Sequence, residues 1–328
     1  MADDDTVLVT GATGFIGSVL TRQLVSDGRD VRILRREDSS LALLGPAAED
    51  VEHAVGDVTY ARSLYEAMQG VDRVYHVAAK VSFARRDRDA LRRVNADGTA
   101  NVVNAALRAG IDRLVHTSSI AALGRPLRAD EPIDETTSWQ EAPHRSAYAR
   151  SKRRAEREVH RGIAEGLDAV IVNPALVFGV GGAETNTRRI VDAVRAGWAV
   201  AAPPGGTNVV DVRDVAAGHR AAMARGETGR RYLLGGDNRS WRSILTVLAE
   251  AFGAEPPRYT IPGAALRAGG AVAEAVATLT RTRPVLPRAT ARSATRTSRF
   301  DNTRAREELG CTFRAFDDTA RWIAENLA

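Results

Sequence analysis

Strand-like and helix-like segments alternate along this 328-residue chain from residue 6 to about 175, which predicts an α/β fold with a doubly wound parallel sheet. Two further observations sharpen that fold class. Near the N-terminus an apolar run stops at three glycines, Gly11, Gly14 and Gly17, and an amphipathic segment follows. Beyond residue 175 short strands, helices and Pro- or Gly-rich turns mix, which predicts a smaller C-terminal α/β cap over the sheet. The expected division assigns 1–178 to the sheet domain, with 208–235 returning to it. Residues 179–207 and 236–328 then form mainly the cap.

The first element is Val7–Gly17, VLVTGATGFIG. A strand, a glycine turn and a helix N-terminus make a place where backbone N–H groups hold a pyrophosphate. Gly11 permits the tight turn, Gly14 lets phosphates approach the backbone, and Gly17 lets helix and strand pack closely. Thr13, Phe15 and Ile16 complete the turn as candidate cofactor contacts. The alternative is a glycine-rich turn that binds nothing.

The second strand, Asp30–Arg36, ends where dinucleotide folds meet the adenine ribose. An acid there bonds the 2′-hydroxyl, whereas arginine accommodates a 2′-phosphate. Arg35 and Arg36 therefore favour NADP(H) over NAD(H), with Glu37 and Asp38 just beyond. A third strand, Val51–Val55, leads to Asp57 and Val58; Asp57 either bonds the adenine amino group or serves as an ordinary turn or cap residue before helix Ala61–Met68. The fourth strand, Arg73–Val77, runs into Ala78, Ala79 and Lys80, small residues that let the backbone approach a cofactor. Asp87–Ala109 reads as one long helix carrying Asn95. The fifth strand, Arg113–Thr117, is followed by Ser118 and Ser119; helix Tyr148–Glu165 and strand Ala169–Val172 follow. In the cap, Thr187–Ala196 reads as a helix and Asn208–Val212 as a strand. Helix Asp214–Arg225, with Asp214 as N-cap, strand Arg231–Leu234 and helix Trp241–Phe252 come next. A Pro-punctuated stretch then leads to two final helices.

Composition bounds the function. With 44% hydrophobic and 27% charged residues the chain is an ordinary globular protein. A single cysteine, Cys311, excludes an internal disulfide framework and fits a reducing compartment. Acidic Met1–Asp5 runs straight into the first strand without a visible signal peptide, so the expected location is cytoplasmic. Gly263–Leu279 is apolar but carries Arg267 and Glu274, too short and charged for a membrane span. It reads as a helix on the core or lining an apolar pocket. Of 46 basic residues only Lys80 and Lys152 are lysine, so either marks chemistry that arginine cannot do. The basic stretch Arg281–Arg306 has a single aromatic, Phe300, and no series of stacking aromatics interleaved with its arginines, which argues against nucleic acid and for a solvated face. His144 and His160 have no ligand spacing with other donors, so no metal site is expected, and His116 reads as a buried core histidine.

Tyr148 and Lys152, four apart on a helix, project from one face. A phenol titrates near pH 10, too high for neutral acid–base work, and a nearby ammonium lowers that value. Lys152 can also bond ribose hydroxyls, and Ser119 can hold a substrate oxygen for Tyr148.

TGATGFIG (10–17), HVAA (76–79), NADGT (95–99), TSS (117–119), YARSK (148–152), NPALVFG (173–179), VDVRDV (210–215) and DNTRAREELG (301–310) resemble the extended short-chain dehydrogenase/reductase superfamily. Within it the chain is most similar to the dihydroflavonol-4-reductase-like and hopanoid-associated sugar epimerase group. The resemblance implies a dinucleotide-binding (Rossmann) domain, a triad of Ser119, Tyr148 and Lys152, and nicotinamide contacts from Pro174, Leu176 and Val177. It also implies cofactor contact from Thr117 and a structural or proton-relay role for Asn95, against plain helix packing. Arg36 matches the 2′-phosphate arginine better than Arg35. A homodimer through Asp87–Ala109 and Tyr148–Glu165 is implied as well. Ile120 and Ala121 stand where the sugar dehydratases of the superfamily carry an Asp–Glu pair, which disfavours elimination chemistry.

The expected function is NADP(H)-dependent interconversion of a carbonyl and a secondary alcohol on a small, rather apolar substrate. Alternatives are an NAD-dependent sugar epimerase and a non-catalytic NADP-binding sensor.

Overall fold

The computed structural model describes residues 5–126, 128, 131–142, 145–182, 185–280 and 287–327. β1 (Val7–Thr10) passes through the glycine turn into α1 (Phe15–Ser26), followed by β2 (Val31–Arg35), β3 (Glu52–Val55), α2 (Ala61–Ala67) and β4 (Arg73–His76). Next come α3 (Arg88–Leu91), α4 (Gly98–Ala109), β5 (Arg113–Thr117), α5 (Ala147–Ala164) and β6 (Ala169–Pro174). Beyond them lie β7 (Leu176–Phe178), α6 (Asn186–Arg195), β8 (Ala201–Ala202), β9 (Gly206–Asp211), α7 (Val212–Arg225) and β10 (Arg231–Leu234). The chain closes with β11 (Asp237–Ser240), α8 (Trp241–Ala251), β12 (Tyr259–Thr260), α9 (Gly263–Leu279), α10 (Arg288–Ala294), α11 (Thr303–Leu309) and α12 (Phe316–Asn326).

The central sheet has seven parallel strands in the order β10-β6-β5-β4-β1-β2-β3. Chain order reverses between β4 and β1, so a crevice opens at the strand ends there, where doubly wound sheets bind ligands. Both faces are covered, hence the near-continuous Val/Leu/Ile runs. Val9, Val115, Val170 and Val172 face α1 and α7, whereas Leu8, Val74, Leu114 and Ile171 face α2, α4 and α5. Each fully buried side chain of this size contributes about 1.5–3 kcal/mol relative to exposure.

Several expectations are corrected. The long helix is interrupted: a π-helical stretch, Arg92–Asp97, joins α3 to α4 and carries Asn95. β9 does not return to the main sheet; it pairs with β7 and β11 in a separate three-stranded sheet, so only α7 and β10 of the 208–235 segment rejoin. Three short helices, α10, α11 and α12, stand where two were expected. The N-cap of α7 is Asp211, which accepts from the Arg213 amide at 2.7 Å. Asp214 instead accepts from the Arg314 amide at 2.6 Å and pairs with its guanidinium, tying the C-terminal segment to α7.

Asp211 also ties two layers together: its Oδ2 accepts from Thr319 Oγ1 of α12 at 2.9 Å. Around it Phe178, Ile244, Leu248, Phe316 and Ile323 form a second core under the small sheet. The cap thus has a hydrophobic centre of its own. Among the described residues no helix is long and apolar enough to cross a membrane.

Candidate functional site

The glycine turn lies at the carboxyl end of β1, beside the end of β4. Gly11 has φ +72°, open to glycine, and a Cβ there would sit 2.6 Å from the Ala78 amide nitrogen. A Cβ on Gly17 would land on the Gly11 carbonyl oxygen, so the helix can approach the turn this closely only without one. Gly14 is the N-cap of α1, is exposed, and no side chain caps the helix; its first turn carries no acid. These features fit a dinucleotide pyrophosphate: the first amides of α1 face outward and positive, and no side chain among the described residues caps them. Thr13, Phe15 and Ile16 are half-buried around the turn, and Phe15 packs beneath Gly181 and Gly182.

At the end of β2 the two arginines differ. Arg35 donates to His53 Nδ1 at 3.0 Å and to the Arg36 and Glu37 carbonyls, which commits it to the local fold. Arg36 stays exposed and pairs with Asp38 at 3.3 Å. Asp57 Oδ1 accepts from the Thr59 amide and hydroxyl, both at 2.7 Å, the geometry of a turn residue. Val58 next to it is buried against α4. Past β4, Ala78 is half-buried and Ala79 exposed. Lys80 is held through its backbone, its N–H donating to Asn95 Oδ1 at 2.7 Å and its carbonyl accepting from Asn95 Nδ2 at 2.9 Å. Asn95 also donates to Ser151 Oγ at 2.9 Å. It therefore clasps the β4 loop to α5.

Ser119, Tyr148 and Lys152 come together beyond the ends of β5 and β6. Ser146 caps α5 by accepting from the Ala149 amide at 3.1 Å, which sets the helix register that turns Tyr148 and Lys152 inward. The Ser119 side chain faces the Tyr148 phenol closely enough to favour its ionised form. Its Oγ also accepts from the Ala121 amide at 3.1 Å. Lys152 Nζ donates to the Thr117 carbonyl at 2.8 Å. Burial lowers Lys152 from 10.5 to about 8, against the attraction of Glu156. The phenol departs from expectation: burial raises Tyr148 above its ordinary value, and the neighbouring Ser119 side chain opposes that only in part. The ammonium is turned to the Thr117 carbonyl, so desolvation wins at the phenol. Pro174 closes β6, and Leu176 and Val177 are half-buried on β7.

Sequence reading missed Glu156. This carboxylate is fully buried four residues after Lys152. It accepts from Ser118 Oγ at 2.7 Å and Asn173 Nδ2 at 2.8 Å, and Arg153 lies 3.0 Å away. Asn173 Nδ2 also donates to the Ser119 carbonyl at 3.0 Å. A Glu one turn beyond the Lys, on the inward face, was the available signal. Behind the site lie three buried histidines. His76 bridges Thr10 and Thr99, His219 bonds Thr117 Oγ1 at 2.7 Å, and His116 has no partner on either ring nitrogen among the described residues. His160 lies exposed on α5, and His144 falls outside the described residues. Among the described residues no cluster of three or more metal-type donors forms.

The model of the NAD dependent epimerase/dehydratase family matches residues 7–235, spanning the glycine turn, the Tyr148–Lys152 helix and β10. The chain belongs to that family. As an extended short-chain dehydrogenase/reductase it is an NAD(P)-dependent enzyme. This epimerase/dehydratase member is 36% identical to "Sterol demethylase protein B" of Methylococcus capsulatus, covering 98% of each chain. It is 39% identical to a "Putative dihydroflavonol 4-reductase" of Synechocystis over 79% of this chain and 76% of that one. The crystal structure of gox2253 superposes with a TM-score of 0.85 at 34% identity, over 99% of both chains.

Proposed function

We propose that this family member is an NADP(H)-dependent oxidoreductase that interconverts a carbonyl and a secondary alcohol on an apolar substrate. The observation that carries this reading is the convergence at the ends of β5 and β6 of Ser119, the buried Tyr148 and, one turn along the same helix, the buried Lys152, whose ammonium donates to the Thr117 carbonyl at 2.8 Å. Gly11–Ile16 would hold the pyrophosphate, Arg36 the 2′-phosphate, and Lys152 the nicotinamide ribose. Ala78, Ala79, Asn95, Thr117, Pro174, Leu176 and Val177 would line the rest, Asn95 acting through the Lys80 loop. Bound NADP(H) supplies or accepts the hydride. In the reducing direction Ser119 holds the carbonyl oxygen and Tyr148 gives it a proton as the carbon gains the hydride. The phenol then recovers its proton from solvent.

The names of two relatives, one a sterol demethylase protein and one a dihydroflavonol reductase, support a ring-based, largely apolar substrate. The test is NADPH oxidation against such carbonyl compounds, with Tyr148→Phe as control. Loss of at least ~100-fold in turnover with unchanged NADPH binding supports the mechanism; near-normal turnover ends it. The family name favours a second reading, an NAD-dependent sugar epimerase. Purified protein that retains NAD and shows no net cofactor turnover would establish that instead. We also propose a cytoplasmic homodimer through α3–α4 and α5, checked by light scattering after size exclusion.

A further inference from the structure

Glu156 lies outside the Ser119, Tyr148 and Lys152 set but is bonded to its supports. Its side chain is fully buried. One oxygen, Oε1, accepts from Ser118 Oγ at 2.7 Å and from Asn173 Nδ2 at 2.8 Å. The same Asn173 amide donates to the Ser119 carbonyl at 3.0 Å. Ser119 follows the end of β5, Asn173 lies at the end of β6, and Tyr148 and Lys152 share α5 with Glu156. The carboxylate is therefore the point at which these strand ends are held against the helix. Its other oxygen, Oε2, lies 3.0 Å from Arg153 and 3.6 Å from Arg231 of β10.

Anchoring alone does not call for a charge. A glutamine could accept from Ser118, whereas taking a carboxylate out of water is costly. Arg153 and Arg231 do not require it either, because their side chains are 29% and 18% exposed and reach water. Lys152, at 2% exposure, has no such outlet. It stands one helical turn before Glu156, and side chains four apart share a face. Both Glu156 oxygens are taken by other donors, so the carboxylate acts on the ammonium through its field, which is strong where water is excluded. That attraction opposes the effect of burial on Lys152. The other described groups around the ammonium are uncharged. Burial keeps His76 of β4 and His116 of β5 neutral, Tyr148 stays a phenol, and Thr117 offers a carbonyl. We propose that Glu156 is a positioning residue of the reaction: it is the counter-charge of the Lys152 ammonium and the lock that holds Ser119 against the helix of Tyr148 and Lys152. This role rests on reading those three as the reacting set.

The chain has two lysines, Lys80 and Lys152, so enzyme grown on nitrogen-15 lysine gives two side-chain nitrogen signals by NMR. Lys80→Arg identifies the Lys152 signal, whose shift against pH reads its titration in the intact enzyme. The wild-type midpoint is expected near 8. Glu156→Gln keeps an acceptor for Ser118 but removes the charge, and should lower that midpoint by about one pH unit or more. Glu156→Asp keeps the charge one methylene further off and should lower it by less than half as much. The alkaline limb of kcat/KM should move down with the midpoint. At the wild-type midpoint, kcat of Glu156→Gln should fall by ~10-fold with the KM for NADPH within about twofold. Thermal unfolding identifies the folded variants. An unmoved midpoint in folded Glu156→Gln overturns the proposal, as do equal shifts in the two variants, which would assign the effect to packing. If Glu156→Gln does not fold, Glu156→Asp decides, and an unmoved midpoint there overturns the proposal. The titration is read without turnover. The expected midpoints in an enzyme that reduces no carbonyl would leave the counter-charge standing and remove only the carbonyl–alcohol reading.

Discussion

Lys152 and Thr117 are joined across the sheet end: the ammonium Nζ donates 2.8 Å to the backbone carbonyl that precedes Ser118 and Ser119. A lysine buried this deeply resists its charge, which is why it titrates near 8. The ammonium is present below that pH and lost above it. In the free enzyme kcat/KM should therefore fall as pH rises through about 8. Lys152→Met should lower kcat/KM by ~100-fold or more and abolish that limb. A pH profile flat from 7 to 9 would show that Lys152 does not act through its charge. Its folded value lies below its unfolded one, so its effect on stability runs the other way: the cost of burying the charge is full below 8 and fades towards 10.5.

Glu156 fastens the ends of β5 and β6 to α5. Removing a fully buried carboxylate strands Ser118, Asn173 and the nearby Arg153. Glu156→Ala should cost about 3 kcal/mol of unfolding free energy by urea titration. Glu156→Gln, which retains an acceptor for Ser118, should cost markedly less. Equal losses for the two variants would mean that packing, not the hydrogen-bond set, is what matters.

Burial lowers His76 to about 3 and His219 to about 4, and it lowers His116 well below 6.5. Unfolded, these rings take protons below pH 6.5; folded, His76 and His219 stay neutral until pH 3–4, and His116 until well below 6.5. Stability is therefore full above 6.5 and lost as the pH falls towards 4. His76 and His219 alone predict a loss on the order of 4 kcal/mol between pH 7 and pH 5, with His116 acting in the same direction, read as a drop in Tm. His116→Leu removes two partnerless nitrogens and should soften that drop without lowering Tm at pH 7. A Tm that does not change over this range would show that the rings are hydrated in solution.

Arg35 and Arg36 should separate fold from specificity. Arg36→Ala should raise the KM for NADPH by ~10-fold, about 1.4 kcal/mol, and leave that for NADH near its starting value. Arg35→Ala, which loses the His53 and backbone bonds, should instead lower Tm. The reverse assignment would move the 2′-phosphate contact to Arg35.

The sequence by itself determined the alternating α/β layout, the glycine turn and the Ser119, Tyr148 and Lys152 set. These are local signals: a glycine's φ, an apolar strand run and an i, i+4 spacing need no partner from elsewhere in the chain. Tertiary structure decided the rest. Whether β9 joins the main sheet depends on which edge it meets, and β7 and β11 take it. Asp211 rather than Asp214 caps α7 because Arg314, a hundred residues on, claims Asp214. Tyr148 is raised rather than lowered because burial and the aim of Lys152 are set by packing. Glu156 matters only once β5 and β6 bring Ser118 and Asn173 to it. Contacts between residues far apart in the chain leave no periodicity to read, so they became visible only in the folded arrangement.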